Sequence, residues 1–332
     1  MTVPYREFYE GRRVMITGGL GFIGSNLAHQ LVALGADVLL VDSLIPDYGG
    51  NLFNIDGIAD RVRVNVADIR QQSTMNYLVK DRDVIFNLAG QVSHIDSMRD
   101  PYADLEINCA AQLSLLEACR AVNPDIGIVF ASTRQIYGRP ERLPVDETHL
   151  LRPVDVNGVN KMAGEAYHIL YHNVYGMRSC ALRLTNTFGP RMRIKDARQT
   201  FVGIWLRAVL EGRPFEVWGG EQLRDFTYVD DAAEAFLIAA LTPEANGRAF
   251  NVGGEEVLSL RQLADALIDA NDGEGRYEIR QFPAERKRID IGDYYADDSL
   301  FRQTTGWRAR TSIRDGLARS LAFFRDNLEH YL

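Results

Sequence analysis

The segment Val14-Met15-Ile16-Thr17-Gly18-Gly19-Leu20-Gly21-Phe22-Ile23-Gly24 constrains this chain more than any other. An apolar run leads into glycines and then into an amphipathic stretch reaching Leu34, which reads as strand, tight turn and helix. A sharp turn needs glycine at Gly18. Backbone N–H groups can approach a pyrophosphate at Gly21, and Gly24 lets helix and strand pack closely. A second strand over 37–41 follows and ends at Asp42. A carboxylate there accepts hydrogen bonds from the adenosine ribose hydroxyls and repels a 2′-phosphate, so the pattern predicts a dinucleotide site taking NAD rather than NADP. Phe22 and Ile23, at the head of the helix, belong to the predicted cofactor contacts. The spacing is Gly-x-x-Gly-x-x-Gly, a departure from the standard Gly-x-Gly-x-x-Gly fingerprint.

Beyond this unit, strand-like segments at 62–66, 84–87, 126–131 and 180–184 alternate with helical patterns at 104–122 and 161–175. Such alternation specifies an α/β fold, a Rossmann-type doubly wound parallel sheet with helices on both faces, here with a smaller α/β substrate-binding lobe appended. Ligands bind such sheets beyond the carboxyl ends of the strands. Asp68 and Ile69 follow the third strand and are placed to bracket an adenine. Ala89, in Asn87-Leu88-Ala89-Gly90 after the fourth, sits where small residues would let a nicotinamide pass.

Composition narrows the function classes. A net charge of -8 argues against a surface built for polyanions, so nucleic acid is not an expected partner. Hydrophobic residues at 46% and charged residues at 25% suit a globular chain with a large core. Cys109, Cys119 and Cys180 lack metal-ligand spacing and leave an odd count, which predicts buried free thiols, no metal site and a reducing compartment. No apolar run approaches membrane-spanning length, and the expected location is cytoplasmic.

At the end of the fifth strand stands Phe130-Ala131-Ser132-Thr133-Arg134-Gln135-Ile136-Tyr137-Gly138. Together with the preceding blocks this resembles the extended short-chain dehydrogenase/reductase family, and within it the nucleotide-sugar epimerases and dehydratases. The resemblance spans nearly the whole chain. It implies bound NAD, oxidation of a sugar hydroxyl to a ketone, and return of the hydride. It places Thr133 at the hydroxyl that hydrogen-bonds the reacting group, and Lys161 at the lysine that binds the nicotinamide ribose and electrostatically lowers the pKa of a neighbouring tyrosine. That tyrosine, four residues before the lysine, is missing: Asn157 occupies its position. A neutral amide takes no proton at ordinary pH, so another base is required. The candidates are His94, then Asp155, then Tyr137, then water relayed through Thr133.

Dehydratases of the family carry Asp-Glu directly after the threonine, and this chain has Arg134-Gln135. Neither residue is a carboxylate acid or base, which argues against dehydration. The resemblance further implies that Asn186, Arg224, Arg288 and Asp290 contact the sugar nucleotide, with Arg224 on the diphosphate. The expected division is a cofactor domain over 1–184 with 226–252 returning to it, and a nucleotide-sugar lobe from 185–225 and 253–332. The expected activity is epimerisation of a UDP-sugar at C4. The alternatives are a ketoreductase, a decarboxylase, or a binding protein that has lost catalysis. A homodimer built on the helices at 104–122 and 161–175 is also implied by the family.

Overall fold

The computed structural model describes residues 4–46 and 48–332. Six strands in chain order, β1 (Arg13–Thr17), β2 (Asp37–Asp42), β3 (Val62–Val66), β4 (Val84–Asn87), β5 (Gly127–Thr133) and β6 (Arg178–Leu184), are followed by β7 (Asn186–Phe188), β8 (Phe215–Trp218), β9 (Leu223–Tyr228), β10 (Ala249–Val252), β11 (Val257–Ser259) and β12 (Tyr277–Arg280). The main sheet runs β10-β6-β5-β4-β1-β2-β3, with every pairing parallel. Its strand order reverses between β1 and β4, and the crevice at such a reversal is where ligands bind.

The period of two decides which side chains meet which helices. Val14, Ile16, Val38 and Leu40 point to a core shared with the helices Phe22–Ala33 and Val229–Leu241. Met15, Leu39 and Val41 point the opposite way, to a core shared with Ala111–Val122 and the residues around Tyr171. Both faces are thus dry, which is why these strands read as unbroken apolar runs. A third core gathers the helices Phe201–Leu210, Leu260–Ala270 and Ile313–Asn327 against a three-stranded sheet, β11-β9-β7, and the β12-β8 pair.

Two helices differ from their expected bounds. The helix expected over 161–175 spans Val156–Tyr175, because Asp155 caps it: the carboxylate Oδ1 accepts the Gly158 N–H at 2.6 Å. The path expected to be helical over 104–122 is a short α-helix, Pro101–Leu105, a π turn over Glu106–Ala110, and then Ala111–Val122. In the π turn Asn108 points inward and its Nδ2 donates to the Gln91 carbonyl at 2.9 Å. β10 returns to the main sheet beside β6, whereas β9, of which 226–228 were expected in the cofactor domain, pairs with β7 and β11 in the second sheet.

A buried polar network fixes the Val156–Tyr175 helix against the sheet. Glu165 accepts from Arg183 Nη2 at 2.5 Å and from Ser132 Oγ at 2.6 Å. Arg183 Nη1 donates to the Tyr137 hydroxyl at 2.6 Å, and that hydroxyl donates to Asn251 Oδ1 at 2.7 Å. Removing the carboxylate alone would strand a buried guanidinium. Glu165→Ala is therefore expected to cost about 3–5 kcal/mol of stability, read as a lower urea midpoint, whereas substitution at the exposed Glu329 is expected to leave the midpoint unchanged.

Candidate active site

The carboxyl ends of β1, β2, β4, β5 and β6 open onto one cavity. It is lined by Gly18, Gly21, Phe22, Ile23, Asp42, Asp68, Ile69, Ala89, His94, Thr133, Asn157, Lys161 and Asn186. Residues distant in sequence converge here because every strand is parallel and all the loops that follow them emerge on one edge.

The glycine turn has the shape a dinucleotide requires. Gly18 has φ +67°, a left-handed conformation that side chains disfavour, and a Cβ there would lie 3.0 Å from Ala89 N. A Cβ on Gly24 would sit 2.3 Å from the Gly18 carbonyl oxygen, so helix and turn touch directly. The Asp42 carboxylate accepts the N–H groups of Leu20 at 3.1 Å and Leu44 at 3.0 Å. Burial pushes this carboxyl up, and the two donors offset only part of that rise. Asp68 turns its carboxylate to Arg70, which holds it below the ordinary range, while Ile69 is buried beside the cavity. These residues fit NAD: a cradle free of side chains for the pyrophosphate and an anionic acceptor for ribose hydroxyls at the end of β2.

Lys161 projects from the Val156–Tyr175 helix, is 6% exposed, and donates from Nζ to the Ala131 carbonyl at 3.1 Å. Burial pushes its ammonium down to about 8, against the attraction of Asp104. Thr133 ends β5, and its hydroxyl accepts the Gln135 N–H at 3.2 Å.

Asn157 is 2% exposed and committed on its amide side. Its Nδ2 donates to the Gln91 carbonyl at 2.8 Å and to Asp104 Oδ2 at 3.0 Å, and its backbone N–H donates to Ser97 Oγ. Asn160 Nδ2 donates to the other Asp104 oxygen at 2.8 Å. Asn157 thus completes a buried polar cluster. Gln91, Ser97 and Asp104, which build that cluster, carried no sequence signal, because each is an ordinary polar residue until folding brings it under the helix. Tyr137 is fully buried, and its hydroxyl is used within the Arg183 and Asn251 network; burial pushes it up to about 12. Such a phenol is not poised to titrate in the cavity. His94 faces Asp155, Nδ1 to Oδ2 at 3.0 Å.

Arg134 follows Thr133 into the cavity wall, and its Nη2 donates to Asn186 Oδ1 at 2.7 Å. The expected substrate arginine, Arg224, is not brought to this wall. It is 6% exposed, faces Asp290 at 3.2 Å, and donates to the Leu223 and Gly292 carbonyls. Arg288 is exposed outside the cavity.

Two outcomes follow. Gly24→Val would drive its side chain into the Gly18 carbonyl, and the purified variant is expected to lose bound NAD while the wild type retains it, as measured by cofactor release on denaturation. The pH dependence of the NAD-free protein follows from Lys161. Between about 10.5 and 8 the unfolded chain binds a proton that folded Lys161 refuses, so stability falls as pH drops through this window and levels off below it. In Lys161→Met this component is absent. The difference in urea midpoint between variant and wild type is expected to grow from pH 10.5 to pH 8 and then hold constant.

Comparison with known proteins agrees with this geometry. The family model described as "NAD dependent epimerase/dehydratase family" matches residues 14–253. A UDP-glucose 4-epimerase of Mycolicibacterium smegmatis is 30% identical over 95% of this chain and 99% of its own. The solved UDP-glucose 4-epimerase of Thermotoga maritima with UDP-glucose superposes with a TM-score of 0.87 at 26% identity, covering 95% of this chain and 99% of that one. The Thermus thermophilus UDP-glucose 4-epimerase in complex with NAD does so at 0.83 and 29%, covering 94% and 99%. With a glycine cradle, an acidic β2 end and a buried lysine converging on one crevice of a doubly wound sheet, the chain belongs to the NAD-dependent epimerase/dehydratase family.

Proposed function

We propose that this protein inverts one hydroxyl-bearing carbon of a nucleotide-activated hexose, a UDP-sugar at C4, through a transient ketone and without net redox change. The single observation carrying the reading is the cavity itself, which sets Thr133 and Lys161 beside a dinucleotide cradle and leaves no carboxylate at the positions directly after the threonine. NAD, when bound, supplies the hydride acceptor and later the hydride donor. Thr133 is placed to hydrogen-bond the reacting hydroxyl. Lys161 would hold positive charge toward the ribose of the bound cofactor and favour development of an alkoxide. Arg134 and Gln135 stand where acid and base for dehydration would be needed, and neither can serve. Arg134 and Asn186, joined by their hydrogen bond, form the polar wall available to the sugar.

Arg224 and Asp290 belong to the same reading as an ion pair that opens to admit the diphosphate, and exposed Arg288 as a further phosphate contact. We also infer a homodimer. Tyr102, Leu105 and Val122 on one helical path, and Val159, Leu170, Val174 and Tyr175 on the neighbouring helix, leave apolar surface in water that a second copy would cover. Among the described residues no helix is long and apolar enough to cross a membrane.

The test is to incubate the NAD-loaded protein with UDP-glucose, UDP-glucuronate and their N-acetylated relatives and follow the sugar protons by NMR. A C4 epimer without accumulation of reduced cofactor is the expected result. Net reduction or loss of carbon dioxide would replace epimerisation with reductase or decarboxylase chemistry. Asn157→Tyr is expected to reduce the rate at least tenfold, because a phenol cannot reproduce the amide's donation to Gln91 and Asp104.

A further inference from the structure

Resting on the epimerase reading, we propose that His94 is the general base and acid of the reaction, oriented by Asp155, and that this pair replaces the phenol absent at Asn157. His94 Nδ1 lies 3.0 Å from Asp155 Oδ2, close enough for an ion pair but without the alignment of a formed hydrogen bond. Catalytic hydrogen bonds commonly align only once substrate is bound. The carboxylate is rigidly held: Oδ1 caps the Val156–Tyr175 helix through Gly158 N–H at 2.6 Å, and Oδ2 accepts Gln135 Nε2 at 2.7 Å. Its side chain has no exposed surface, so it reaches the substrate only through His94. Burial alone would raise the Asp155 carboxyl; His94 and the N–H donors outweigh that and keep it below its ordinary value, hence ionised.

An ionised carboxylate on Nδ1 selects the tautomer that carries its proton there and leaves a lone pair on Nε2. The same ring lines the cavity with Thr133 and Lys161 and remains 38% exposed. Two of the other candidates are out of reach: Tyr137 is sealed into the Arg183 network, and the Asp155 carboxylate has no exposed surface. In the forward step the sugar O–H bond breaks and its proton moves to Nε2. Bound NAD⁺ would accept the hydride released as the C–H bond of the same carbon breaks and C=O forms. The imidazolium, balanced by Asp155, holds the proton while the ketone turns. Hydride then returns to the other face and Nε2 gives the proton back to oxygen, restoring every atom and electron.

The holoprotein tests this in two independent ways. The first is kinetic: His94→Gln is expected to slow sugar inversion roughly 10²–10⁴-fold while leaving bound NAD and UDP affinity unchanged, and added imidazole is expected to recover part of the rate in His94→Ala. Asp155→Asn keeps a capping side chain and is expected to slow the reaction too. The second needs no turnover. Long-range ¹H–¹⁵N correlations on the wild type should show His94 protonated on Nδ1 with a bare Nε2, changing to Nε2–H in Asp155→Asn. Wild-type rate in His94→Gln, or an Nε2–H tautomer in the wild type, overturns the pair while leaving the epimerase reading intact. A wild-type holoprotein that converts none of the sugars defeats the epimerase reading itself, and the role of His94 falls with it.

Discussion

The ion pair between Glu165 and Arg183 sets the position of everything that reaches the cavity from the Val156–Tyr175 helix. It joins that helix to β6, Ser132 brings in β5, and Tyr137 carries the network on to Asn251 at β10. Two buried charges are stable there because the carboxylate also accepts from Ser132 and the guanidinium also donates to Tyr137. The consequence is a helix tied to the sheet, with Lys161 and Asn157 held in the cavity lining and Asp155 at the cap.

From that fixed helix the site divides into two polar arrangements with different work. Asn157, Asn160, Asp104 and Gln91 satisfy one another underneath, where water does not reach. Asparagine suits this position because its Nδ2 gives hydrogen bonds to both the Gln91 carbonyl and Asp104, a pair of acceptors a single phenol O–H could not serve together. His94 lines the cavity and stays partly exposed, with the buried Asp155 carboxylate behind it. Loss of tyrosine is therefore accompanied by a structural use for its replacement and by a second titratable group at the same mouth.

The glycine turn and the acidic end of β2 were legible in the sequence, since their requirements are local. A left-handed Gly18, a Gly24 pressed on a carbonyl and an acidic end to β2 are properties of short segments, and the paired apolar runs declared a sheet buried on both faces. The substrate half was less legible. Arg224 has the flanking residues expected of a phosphate ligand, yet in β9 its side chain falls beside the segment holding Asp290 and Gly292, which take up its donors. Helix ends were missed where a cap decided them, as at Asp155, and the π turn was invisible because Asn108 and Gln112 become distinctive only by the bonds they form.

By itself the sequence determined the fold class, the cofactor cradle and the absence of the usual phenol, because period, glycine placement and residue identity act over a few positions of chain. Only the tertiary structure decided what Asn157 does, and that His94 meets Asp155. Those residues stand where the loops from different strands enter helices. A parallel sheet brings such loops to one edge, so their partnership is a property of distance in space that no local pattern encodes.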